Sequence, residues 1–410
     1  MITKRQYPIM GFNTFDGYGW SVTEEEFRQN VIFCDKELKP YGYTCMILDF
    51  MWSTPGRDNR DNPDQNKDFV PWRNMDRYGR LIPAPDRFPS SVHQLSLKPL
   101  ADFVHSRGME LGLHVMCGVP RQAAAAKCVI KGTNITCDQI VSQTEPYCTW
   151  NNEMYPIDFE REGAQEYVNS LLELYTAWEV DLLKIDDLSF PYRKAAVEAY
   201  GRAISASPRD IIFSTSPGAT PLEQGEHVSQ WANLWRISPD FWDTWEALRE
   251  QLELFEAWRP YKRQGAYPDG DMFPVSQLSN YGPWEAPRYS NFTYWEKRTF
   301  LSVWALENSP IILGGDLTVI DAPTLRLLQN EAIVSLNRAA RNAVFVRRNG
   351  PIWRLEAEIA GQPGLGVVAL INVSDQIQSE TEPENVIQNV WGNTSRFLAI
   401  HDTALYIIKR

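Results

Sequence analysis

The sequence predicts an α/β chain, a (β/α)8 TIM barrel followed by a small C-terminal antiparallel β-sandwich domain, and two observations carry that expectation. Over the first part of the chain, eight short apolar runs alternate with stretches whose apolar residues recur at three and four spacing, the alternation that wraps a parallel sheet in helices. From about Ala340 the period changes to two, in VFVRR, IWRLEAEI, GVVALINV, RFLAI and ALYIIKR, separated by Gly, Pro, Asn and Asp. The expected domains are residues 1–338 and 339–410.

Taken in order, the expected strands are 7–12, 44–50, 109–116, 180–186, 210–214, 232–236, 265–267 and 310–314. Helical periodicity covers 24–38, 97–107, 164–178, 192–206, 244–259 and 295–306. Eight such units leave long loops after the second and third strands, and a barrel of this kind carries its reactive residues at the C-terminal strand ends.

Composition bounds the partners. The 410 residues are 43% hydrophobic and 22% charged, ordinary for a chain with a large core, and the net charge of -12 opposes binding to nucleic acid. No run of eighteen apolar residues offers a membrane span, and residues 1–7 lack the apolar core of a secretory leader, so the chain reads as cytoplasmic as written and as secreted if a leader has been removed. Cys128 and Cys137 flank KGTNIT and could close a small loop, but the other cysteines (Cys34, Cys45, Cys117, Cys148) include several in apolar surroundings where free thiols are common. Four sequons, at Asn134, Asn291, Asn372 and Asn393, are as many as chance can supply and decide nothing. With 5 histidines and no pair at metal-ligand spacing, no metal and no cofactor is expected. The oligomeric state stays open, a homodimer included.

Two aspartate segments stand out. In DLLKIDDLSFPY, from Asp181 to Tyr192, an apolar strand ends at Lys184, Asp186 and Asp187, and alternation puts Lys184 and Asp186 on one face. In LWRISPDFWDTW, from Leu234 to Trp245, Arg236 closes a strand and Asp240 follows in a loop crowded by Phe241, Trp242 and Trp245, surroundings expected to favour a neutral carboxyl. A carboxylate held ionised beside a lysine and a second one raised by apolar neighbours is the division of labour that glycoside hydrolysis requires. A buried Lys184–Asp186 ion pair with no catalytic role is the plain alternative for the first segment.

The segments LLKID and NLWRISPDFWDTW, the opening PIMGFNTFDGYG and the later YPDGDM together resemble glycoside hydrolase family 27, whose members include α-galactosidases and α-N-acetylgalactosaminidases. The resemblance runs from about residue 7 to the C-terminus. It implies a retaining exo-glycosidase acting on a small carbohydrate or glycoconjugate, with Asp186 as nucleophile and Asp240 as general acid/base. It further implies Arg236 at the sugar's 2-substituent, Lys184 at the O3/O4 side, Asp49 at the distal hydroxyls and Asp271 near the sugar. Trp52 is expected as a pocket wall or as core, and His114 stands where relatives often carry an aromatic residue. Asp269 is expected as a turn-former. Where α-galactosidases usually have a second aspartate after Asp49, this chain has Phe50, which puts one hydroxyl contact in doubt.

By the same resemblance, the small residues Ser216 and Ala219 imply room around C2 of the sugar, which permits an N-acetyl group without requiring it. The expected substrates are α-galactoside first, α-N-acetylgalactosaminide second and β-L-arabinopyranoside third. Two other classes compete: a metal-dependent barrel with Asp49, Asp186 and Asp187 as oxygen ligands, and a sugar-binding barrel without catalysis.

Overall fold

A computed structural model describes residues 5–56, 73–146, 148, 150–280, 286–392 and 396–410. The barrel strands are β1 Met10–Asn13, β2 Cys45–Leu48, β3 Glu110–Met116, β4 Leu182–Asp186, β5 Ile212–Thr215, β6 Leu234–Arg236, β7 Tyr267–Asp269 and β8 Ile311–Gly314. Strands β1 to β7 pair in parallel in that order, and β8 pairs with β1 through Met10↔Ile311. After β7 the chain kinks for three residues, and the segment Phe273–Pro274 pairs with β8, so among the described residues the backbone of the kink, and no ladder, joins the two edges of the curled sheet.

The eight expected strands are there, with ends shifted by up to three residues. At β7 both ends move by two, because the turn made by the Arg263–Ala266 bridge and by Gly265 at φ 77° occupies the start of the expected strand. The expected helices are α1 Glu24–Glu37, α2 Lys98–His105, α3 Ala164–Ala177, α4 Lys194–Ala206, α5 Trp245–Trp258 and α6 Tyr294–Glu307. Thr23 and Thr293 open α1 and α6 with capping boxes to Glu26 and Glu296, which fixes where those helices start. The short helices Gly225–Trp231, Ala322–Leu328 and Glu331–Ala339 were not anticipated, being too brief to show a period.

Alternation within the strands separates the two cores. Ile9, Cys45, Ile47, Leu182, Ile212, Leu234, Tyr267 and Ile312 form one buried cluster inside the barrel. Met46, Leu48, Leu111, Leu113, Leu183, Ile185, Phe213 and Trp235 belong to the larger cluster shared with the helices. On β4 this puts Leu182 inward, Leu183 outward, Lys184 inward, Ile185 outward and Asp186 inward, so the apolar plug gives way to charge as the strand approaches its C-terminal end.

Helix Glu331–Ala339 runs directly into an antiparallel sheet of β9 Ala340–Arg347, β10 Ile352–Ile359, β11 Leu365–Asn372, β12 Val386–Asn389 and β13 Thr403–Lys409, in spatial order β9-β10-β11-β13-β12. The RFLAI run supplies only Phe397–Leu398, in a separate two-stranded ribbon with Gln378–Ser379. Helix α6 is buried almost throughout, because the barrel covers one side and the β-sheet region the other: Thr299 Oγ1 donates to the His401 carbonyl at 2.6 Å and Trp391 Nε1 to Ser302 Oγ at 3.0 Å.

All six cysteines are free thiols. The loop between Cys128 and Cys137 is closed by the backbone, with Cys137 N–H donating to the Cys128 carbonyl at 2.8 Å, and not by a disulfide. Of the sequons, Asn134 and Asn291 are exposed, Asn372 is buried with its amide donating to the Gln376 and Ala399 carbonyls, and Asn393 lies outside the described residues. Among the described residues, no helix is long and apolar enough to cross a membrane.

Candidate active site

At the C-terminal end of the barrel a cavity of about 160 Å³ is lined by Asp16, Asp49, Lys184, Asp186, Arg236, Asp240 and Asp271, with Phe15, Trp20, Phe50, Trp150 and Trp242 among its rings. That space is many times the roughly 10–15 Å³ that a single water needs, so the hollow admits a solute the size of a sugar ring. Asp186 and Asp240, two strands apart in the ring, face this one hollow.

Asp186 is the last residue of β4 and is buried. His114 Nε2, on β3, lies 2.9 Å from its Oδ2, while Oδ1 has no hydrogen-bond partner. Burial pushes this carboxyl up, but the charges of His114 and Lys184 outweigh it and hold the group below the usual carboxylate range. Lys184 gives its hydrogen bond elsewhere: Nζ donates to Asp49 Oδ2 at 2.9 Å, and that oxygen also accepts from Asn13 Nδ2 at 2.7 Å. Asp49 is buried, yet Lys184 and His114 beside it overcome the burial penalty and keep it well below the usual range.

Arg236 ends β6, almost fully buried, and its Nη2 lies 2.7 Å from Asp271 Oδ2 and 3.0 Å from Asp240 Oδ1. Burial works against its charge, and the carboxylates of Asp271 and Asp240 more than restore it. Asp271 sits at φ 76° in the kink after β7, where Asp269 Oδ1 accepts from Asp271 N–H at 2.9 Å, so Asp269 is the turn-former. Burial raises the Asp271 carboxyl to about 6, with Asp240 and Asp269 adding to the push and Arg236 opposing it.

Several expectations are corrected by this geometry. The burial expected for Asp240 is absent: Phe241 packs onto Phe292, Phe300 and Trp304, and the Asp240 side chain is 57% exposed. Among the carboxyls that line the cavity, those that burial does raise are Asp271 and Asp16. Trp52 is not a pocket wall; its Nε1 donates to the His114 carbonyl at 2.7 Å and its ring meets Trp178 edge-on, so it is core. His114 and Ser216 also stand behind the cavity lining. His114 backs Asp186, and Ser216 Oγ accepts from Arg236 Nη1 at 3.3 Å, so the small pair Ser216 and Ala219 does not open onto the cavity, which Pro217 lines instead. Asp187, the third oxygen of the metal-dependent alternative, turns away to Arg193 at 2.9 Å, with burial raising its carboxyl to about 6.

Sequence reasoning also missed part of the wall. Phe50 lines the cavity, packed against Trp20, Trp150 and His114 with ring centroids 6.3, 5.8 and 5.2 Å away. Trp150 arrives on the long loop after β3, held beside Phe50 by the buried ion pair of Arg73 and Glu153. Asp16 lies within the opening motif PIMGFNTFDGYG, three residues after its GFN, and nothing in its spacing separates it from a solvated loop aspartate.

A family model described as alpha galactosidase A matches residues 159–339. Among solved structures, a family 27 β-L-arabinopyranosidase from Geobacillus stearothermophilus, in complex with arabinose, superimposes with a TM-score of 0.92 at 33% identity, covering 99% of this chain and 97% of that one. Among curated relatives, alpha-galactosidase 3 of Arabidopsis thaliana is 26% identical over 339 residues, 81% of this chain and 60% of that protein, and alpha-N-acetylgalactosaminidase of Gallus gallus is 24% identical over 280 residues, 65% and 56% respectively. The chain spans 60 to 66% of the length of the first plant relatives it matches. A third of the residues shared across nearly the whole of both chains, on one fold, places this chain in glycoside hydrolase family 27.

Proposed function

We propose that the protein is a retaining exo-glycoside hydrolase that releases a terminal galacto-configured pyranose, with β-L-arabinopyranoside as its preferred substrate. The observation that carries the reading is a one-ring cavity walled on one side by charge and on another by the apolar face of Phe50. Asp186 attacks the anomeric carbon as Asp240 protonates the departing oxygen; Asp240 then takes a proton from the water that cleaves the glycosyl-enzyme, and two displacements restore the original configuration. An anionic Asp186 with a free Oδ1 suits the first role. An exposed Asp240 within reach of Arg236 suits the second, since protons must enter and leave it.

The substrate order drawn from sequence changes on Phe50. A hydroxymethyl group beside that ring would lose its water without gaining a hydrogen bond, a penalty that a pentopyranose lacking C6 avoids. The name of the Geobacillus relative supports the same order. The second reading, α-galactoside, draws on the names of the plant relatives. N-acetylgalactosaminide falls to third because Ser216 and Ala219 do not line the cavity.

Initial rates on nitrophenyl β-L-arabinopyranoside, α-D-galactopyranoside and N-acetyl-α-D-galactosaminide test this. We expect kcat/KM for the arabinoside to lead the galactoside at least tenfold. A lead for the galactoside overturns the substrate, and no turnover of any of the three overturns the function.

A further inference from the structure

Going round the C-terminal rim of the barrel, β8 breaks the ring of functional side chains, because it ends in Gly314 followed by Gly315. The gap is occupied from β1. Asp16, just past that strand, leans over Gly314 so closely that a Cβ there would stand 1.9 Å from Asp16 Oδ2. Gly17 packs in turn on Gly315, where a Cβ would meet the Gly315 carbonyl carbon at 2.8 Å. Two adjacent glycine contacts thus hold one carboxyl in the wall of the cavity. It is 3% exposed, and its Oδ2 is buried without a hydrogen-bond partner. The charged groups around it are Asp271 after β7, Lys184 on β4, Asp240 after β6 and Asp49 after β2. Asp316, the next carboxylate along from the glycines, is turned to Thr318 and Asn280 instead.

An ionised carboxylate in that position would be a buried charge with no hydrogen-bond partner, set among three other acids and one lysine, and burial disfavours it. A neutral carboxylic acid has an O–H to donate and an oxygen to accept with, and a sugar hydroxyl satisfies both. We infer that Asp16 is a specificity-determining residue of this site, binding a sugar hydroxyl in its protonated form and closing the side of the pocket that β8 leaves without a side chain. Burial raises its pKa well above the ordinary carboxylate range, the charge of Asp271 adds to that, and Lys184 opposes it. This rests on the glycosidase reading above and deepens it.

The test uses the full chain and the nitrophenyl glycoside that the wild type turns over best. Asp16→Ala is expected to raise KM about tenfold or more, the loss of a hydrogen bond in a dry site, with a smaller change in kcat. Asp16→Asn, isosteric and still a donor, is expected to recover KM to within about threefold of the wild type. The wild-type KM should climb as rising pH ionises the acid and that of Asp16→Asn should not. KM for Asp16→Ala equal to wild type, or Asp16→Asn as impaired as Asp16→Ala, overturns the inference while leaving the glycosidase intact. Should Asp16→Ala fail to fold, a rise in KM with pH that persists undiminished in Asp16→Asn overturns it alone. A wild type inert on every galacto-configured glycoside overturns the function and this inference together.

Discussion

Lys184 donates its hydrogen bond across the barrel mouth to Asp49 at 2.9 Å, and leaves Asp186, two residues along the same strand, to His114. The two inward acids of β2 and β4 are therefore supported separately, one by an ammonium and one by an imidazole. Asp186 Oδ1 has no hydrogen-bond partner, and the lysine that sequence alternation placed on the same face is engaged by Asp49.

If Asp186 attacks the sugar, Asp186→Asn removes the nucleophile while keeping the shape of a buried site. Turnover of a nitrophenyl glycoside should fall by at least about a thousandfold, with circular dichroism and melting temperature little changed. Residual activity of more than a few per cent in a freshly purified, homogeneous sample would take the role away from Asp186.

Asp240→Asn separates two substrates by their leaving groups. A disaccharide or alkyl glycoside, whose alkoxide needs a proton, should lose about a hundredfold to ten-thousandfold in kcat/KM, and a dinitrophenyl glycoside far less. Equal losses on both would mean that Asp240 does not protonate the leaving oxygen.

The raised carboxyl of Asp271 ties stability to pH. Its folded pKa of about 6 lies above an unfolded value of roughly 3.9, so the folded state binds the proton more tightly. Its contribution is then fully present below about pH 4 and is lost as pH rises through about 6, a change of about 3 kcal/mol in all, of which about 2 kcal/mol falls between pH 4.5 and 7. In urea unfolding at pH 4.5 and 7, Asp271→Asn should show a decline with pH smaller than the wild type's by that order. A decline as steep as the wild type's would assign the pH dependence to other groups, Asp187 first among them.

Phe50→Asp places a second carboxylate next to Asp49 in the cavity wall. We expect the ratio of kcat/KM for arabinopyranoside over galactopyranoside to fall by roughly 10- to 200-fold, the range over which one pocket contact discriminates. An unchanged ratio, measured on a variant that melts cooperatively, would show that the ring at position 50 does not choose between the two sugars.

The sequence by itself determined the alternation of eight strands with helices, the change to a period of two near Ala340, and the inward face shared by Lys184 and Asp186, because each depends on periodicity within a few consecutive residues. Strand ends marked Arg236 and, just after, Asp240, and the resemblance to family 27 motifs marked Asp49 and Asp271; all four reach one rim because every strand of a parallel barrel ends there. Only the tertiary structure decided which of these groups touch: that Lys184 serves Asp49, that Arg236 is shared between Asp240 and Asp271, and that Trp52 is core while Phe50 is wall. It alone raised Asp16 and Asp271 and left Asp240 in solvent. Burial and charge pairing arise between strands that lie tens to hundreds of residues apart, and no local pattern records how close those segments come once the barrel closes.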